Sequence, residues 1–130
     1  MPSYKAYKLL HLLSIATVLL SIGGLTFHAW LGGTKEQAGA LRKKLLGFHG
    51  MGMFGVLLGG MGTAATSGAI SSANGWAWWI FPKLAIWLAF GALPALAYRM
   101  PRRSGQIWAL TLALFFAAAW LAGGLVSLTR

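Results

Sequence analysis

Of 130 residues, 58% are hydrophobic and 9% charged, with a mean hydropathy of +0.69; a soluble domain carries about a quarter charged residues, so that class is excluded. The net charge of +10 invites a nucleic-acid reading, but the cations sit in short caps between apolar segments, which points to lipid head groups and away from nucleic acid. With no cysteine in the chain, disulfides and thiolate metal sites are excluded as well.

Four apolar stretches, roughly 4–31, 45–66, 76–98 and 106–128, are each long enough to cross a hydrocarbon core of about 30 Å as a helix. Short connections between them predict an all-α fold, a four-transmembrane-helix up-down-up-down bundle forming one domain over residues 1–130. Runs such as 109–119 lack the in-out alternation that a barrel strand requires.

The first segment has a basic start, Lys5 and Lys8, in the manner of a signal peptide, but it lacks a clear A-x-A site and reads as a spanning helix. It carries His11 and His28, seventeen residues and roughly 25 Å apart along a helix axis. Ser14, Thr17, Ser21 and Gly24 fall within about 40° of His28 at 100° per residue. Such a small, polar stripe on a leucine-rich helix marks a face turned toward other helices. The loop that follows holds Lys35, Arg42, Lys43 and Lys44 with Glu36, the one acid in the chain.

The second segment opens GFHGMGMFGVLLGGMG, residues 47–62, and combines His49 with seven glycines and three methionines. Met53, Val56, Gly60, Thr63 and Ser67 lie within about 40° of His49. Gly55 and Gly59 form a small-xxx-small pair suited to close helix packing. The connection 67–75 is uncharged, and Trp76, Trp78 and Trp79 then mark a membrane interface, as Trp30 does at the end of the first segment. Pro82 leaves Lys83 with two placements: at the surface if Pro82 is the first helical residue, about two turns deep if the helix begins at Trp76. Arg99, Arg102 and Arg103 follow, and the fourth segment is apolar all round, a surface for lipid or a partner. The two basic loops fall on one side, which the positive-inside rule makes cytoplasmic, with both termini outside.

Ionisable side chains within spanning helices are costly and suggest function. An antiparallel turn between segments starting and ending as above puts His28 and His49 at one depth, and His11 and Lys83 at another. Two inward imidazoles at equal depth suit bis-histidine ligation of haem b, with His28 and His49 on the metal. Gly24, Gly50 and Gly52 would let the flat macrocycle approach the backbone. Two alternatives stand beside it: a soft copper(I) site of His49 with Met51, Met53 and Met61, and a cofactor-free subunit whose glycines only pack helices. No Asp and one Glu argue against carboxylate proton relays and Ser-His-Asp hydrolysis.

Tyr7-Lys8-Leu9-Leu10-His11-Leu12-Leu13 and Trp79-Ile80-Phe81-Pro82-Lys83-Leu84 resemble the small four-helix membrane proteins of the HemJ, SirB and CopD types. These include haem-dependent protoporphyrinogen oxidases, SirB-like membrane proteins and copper-handling proteins. In the oxidase branch a helix-one histidine and a helix-three lysine matter to function, and those positions match His11 and Lys83. Leu46-Gly47-Phe48-His49 and Phe90-Gly91-Ala92-Leu93 are similar to the SirB-type pattern. The resemblance implies a bacterial inner-membrane haem b protein in electron transfer or tetrapyrrole redox chemistry, with a membrane-protein partner or a second copy of itself.

Overall fold

The computed structural model describes residues 3–32 and 35–128, with side chains at 35–38 and 124–128 outside the described set. Lys35, Glu36 and Arg130 therefore lie outside the described side chains. The chain forms α1 (Tyr4–Leu31), α2 (Lys35–Thr66), a two-stranded antiparallel hairpin of β1 (Ile70–Ser71) and β2 (Gly75–Trp76), α3 (Ile80–Arg99), a 3-10 turn over Pro101–Arg103, and α4 (Ser104–Leu128). Four helices are long and apolar enough to cross a membrane, as the composition requires.

Two boundaries differ from the sequence expectation. Helix α2 starts at Lys35, ten residues before the expected 45, because 35–44 is charged but built from good helix formers such as Lys, Glu, Gln, Ala, Leu and Arg. Helix α1 is capped at Gly32, which takes the left-handed conformation at φ 61°, ψ 37° and donates its N–H to the Ala29 carbonyl. Helix α3 starts at Ile80 and not near 76, because Trp76 pairs with Ile70 and Gly75 with Ser71 in the hairpin. Gly75, at φ 70°, supplies the left-handed position of that turn.

The hydrophobic core joins three helices: Val18, Ile22 and Ala29 of α1, Phe90, Leu93 and Ala97 of α3, and Ile107 of α4. Met53 and Val56 of α2 pack against its edge. The outward faces carry exposed Leu13, Leu20, Phe54, Leu88, Phe116 and Trp120, the surface a bilayer solvates.

Helix α2 joins α1 through close approach, which in lipid replaces the hydrophobic driving force available in water. A Cβ on Gly59 would stand 2.6 Å from the His11 backbone nitrogen and 2.8 Å from its Cα. A Cβ on Gly52 would meet Val18 Cγ2 at 2.8 Å, and Gly55 and Gly62 face Ser14 and Tyr7 in the same way. Glycines at 52, 55, 59 and 62 thus form one stripe along α2, and the Gly55-x-x-x-Gly59 pair lies within it.

This stripe also sets the register. Gly24 meets Leu45, Gly59 meets His11 and Gly62 meets Tyr7, so facing residues of the antiparallel pair have numbers totalling about 70. His28 accordingly faces Arg42, and His49 faces Ser21. The two histidines differ by about seven residues, roughly 10 Å, in depth.

Candidate functional site

The structure separates His28 from His49 in depth and sets His11 and Lys83 at the same end of the bundle. The equal depth expected for His28 and His49 fails because α2 begins at Lys35, ten residues early, and its register against α1 is shifted. Gly24 is covered by the Leu45 side chain, 3.2 Å from where its Cβ would be, and Gly52 is filled by Val18. Gly50 faces the opposite way, with nothing within 4 Å of its notional Cβ. These three glycines do not line one surface, and the packed α1–α2 seam offers no slot for a macrocycle. In this arrangement His28 and His49, about seven residues apart in depth, do not face one another across a common site.

Each histidine has a different environment. His49 is 6% exposed and neither ring nitrogen makes a hydrogen bond among the described residues. The Phe90 backbone lies beside its ring, short of good hydrogen-bond geometry. Pro94 lacks an N–H, so the Phe90 carbonyl has lost its partner four residues on in α3. A buried imidazole thus sits against a carbonyl released by a proline. Met53 packs on the core while Met51 is exposed, so the methionine run does not converge on His49.

His28 Nδ1 lies 2.7 Å from the Tyr98 hydroxyl of α3. The guanidinium of Arg42 sits 4.3 Å from the centroid of the same Tyr98 ring. His28 therefore belongs to a cluster drawn from three helices, at the end that carries the two basic loops.

His11 lies at the opposite, hairpin end. Its Nδ1 is 2.8 Å from the Val56 carbonyl of α2. A carbonyl only accepts, so Nδ1 carries the hydrogen and donates it, and in the neutral ring Nε2 keeps its lone pair. Gly60 makes this bond reachable: a Cβ there would stand 3.0 Å from His11 Cε1 and 3.2 Å from Nδ1. Glycine four residues after Val56 thus opens a helix carbonyl that a larger residue would cover. A metal-ligating histidine has its other ring nitrogen fixed by such an acceptor, and the His11 side chain is half-exposed. That donor set fits a single axial ligand.

Lys83 stands at the same hairpin end of the bundle as His11. It is the fourth residue of α3, between the two placements the sequence offered, half-buried with its Nζ 5.5 Å from the Trp79 ring centroid. The one acidic side chain, Glu36, begins α2 at the other end of the bundle. Trp87 secures α3 to α2 nearby, its Nε1 donating to the Met53 carbonyl at 2.9 Å. A small apolar hollow of about 20 Å³, room for about one water, is lined by Ile15, Val18, Leu19, Met53, Val56 and Phe90.

Reading from sequence missed the Val56 carbonyl and the Arg42–Tyr98 stack. The signal for the first was the Gly59-Gly60 pair; for the second, an arginine and a tyrosine each close to a helix end at the same side.

Fold and composition define the class: a multi-pass membrane protein of four spanning helices, with apolar faces in contact with the bilayer. Compared with known proteins, the chain matches no family model, no curated protein and no solved structure.

Proposed function

We propose that this protein binds haem b at the hairpin end of the bundle, with His11 as axial ligand and Lys83 beside it, and serves electron transfer or tetrapyrrole redox chemistry in a bacterial inner membrane. The observation that carries the reading is His11: the Val56 carbonyl takes its Nδ1 hydrogen and leaves Nε2 free. Lys83, with no acidic side chain at its end of the bundle, suits the carboxylate edge of such a ligand. Haem held there would supply a one-electron couple whose potential the axial ligand and surrounding burial tune. The basic loops would be cytoplasmic and both termini outside.

The absorption spectrum of protein purified after haem-sufficient expression tests this. A Soret band in wild type, lost in His11→Ala and kept in His28→Ala and His49→Ala with unchanged helical content, is the expected result. A colourless wild type overturns it.

A second reading, a cofactor-free subunit of a larger membrane assembly, is favoured by α4, whose most apolar stretch is 11% buried against 33% for α1. Fixed partners that co-purify with colourless protein in mild detergent would establish that reading instead.

A further inference from the structure

The basic end carries a cluster that neither helix packing nor the His11 site uses. Arg42 of α2 faces His28 of α1 by register, and Tyr98 of α3 stands between them. The His28 ring holds the Tyr98 hydroxyl at 2.7 Å, and the central carbon of the Arg42 guanidinium lies over the Tyr98 ring, 4.3 Å from its centroid. Stacking occupies the face of a guanidinium and leaves its N–H edge free to bind in a fork.

Charge identifies the ligand class. Lys35, Lys43, Lys44, Arg99, Arg102 and Arg103 share this end with Arg42, against Glu36 alone. The excess calls for an anion from outside the chain, and a planar guanidinium fork matches a phosphate. Position identifies its source. Tyr98 is the last residue but one of a spanning helix, and His28 lies one turn from the end of another. Exposed Phe27, Trp30 and Leu31 surround the same level, an apolar skirt at the depth where acyl chains begin.

We propose that Arg42, stacked on Tyr98 and braced by His28, is a binding site for the phosphate of an anionic phospholipid head group. A soluble anion would have no use for the exposed aromatic side chains; a glycerophospholipid would use both halves of the site. Basic pockets between spanning helices on the positive side are suited to such head groups.

Native mass spectrometry of the full chain, released from detergent with equal amounts of phosphatidylglycerol and phosphatidylcholine of matched acyl chains, reads the site directly. Wild type should retain the anionic lipid by about tenfold over the zwitterionic one, the size of one good charge-assisted contact. Arg42→Gln and Tyr98→Leu should remove the preference. Arg42→Lys keeps the charge and loses the fork and the flat stack, and should lose most of the preference while leaving thermal stability unchanged. Lys44→Gln should keep it. Equal retention of both lipids by wild type overturns the proposal, as does a loss in Lys44→Gln equal to that in Arg42→Gln, which would mean diffuse charge alone. Millimolar inorganic phosphate should leave the bound lipid in place; displacement by it would assign the site to a soluble anion and overturn the lipid assignment.

Discussion

The two ends of the bundle each set a histidine of α1 against α2, and they use it in opposite ways. At the hairpin end His11 meets bare helix backbone, because Gly59 and Gly60 remove the side chains that would hold it off. Its partner there is a carbonyl, which settles the tautomer and leaves one nitrogen free. At the basic end His28 meets a side chain, the hydroxyl of Tyr98, whose ring lies under the Arg42 guanidinium of α2. A hydroxyl both donates and accepts, so it does not fix which ring nitrogen is protonated. Glycine in a membrane helix thus does more than bring helices together: it decides whether a neighbouring imidazole sees backbone or side chain, and so what chemistry that imidazole has left.

The contrast breaks most severely at Gly59. Gly59→Leu would drive side-chain atoms into the His11 backbone and should cost about 3 kcal/mol or more, or prevent assembly. Unfolding in a detergent titration measures it, beside Gly50→Ala, which meets open space and should stay within about 0.5 kcal/mol. A similar cost for both would mean the stripe is not the seam. Gly60→Ala is gentler and more pointed: its methyl crowds the His11 ring, so any haem absorbance should fall while stability changes by about 1 kcal/mol or less. Retention of full absorbance together with the His11→Ala loss would show that the Val56 bond is not needed.

At the other end, Tyr98→Phe removes one hydroxyl and keeps the ring under Arg42. Thermal stability should drop by about 1 kcal/mol, the net worth of one hydrogen bond, with haem absorbance unaffected. The smallest effect is expected between the two ends. His49→Leu replaces a buried imidazole without a hydrogen bond by an apolar side chain, and should be neutral or stabilising by up to about 1 kcal/mol. A loss of several kcal/mol would reveal a partner for that ring, the Phe90 carbonyl being the nearest candidate on chemical grounds.

Much of this was legible in the sequence, and the failures share one cause. Apolar runs of spanning length fixed the number and type of the helices, and Gly55 and Gly59 announced the seam. A spanning run, however, reports where lipid is and not where a helix begins. The stretch 35–44 is too charged to cross a membrane and entirely suited to helix, so α2 starts ten residues before its apolar part. That offset moved His49 away from His28 and put Arg42 in its place. The hairpin hid in the same manner: Asn74-Gly75 is a turn signal of strand pairs, and two-residue strands leave no periodicity to see. His11 and Lys83 were matched at one depth because both sit near the start of their helices at the hairpin end, where the α2 offset has no effect.

The placement of all three histidines depends on the register of α1 on α2, and the absence of native cysteine makes that register directly measurable. Paired cysteines at Gly24→Cys with Leu45→Cys, and separately at His28→Cys with His49→Cys, would be the only thiols in each variant. Oxidation in membranes should close the first pair rapidly and leave the second reduced, since its members lie roughly 10 Å apart in depth. Efficient closure of the second pair, with the first unreacted, would contradict the register and restore His28 and His49 as neighbours.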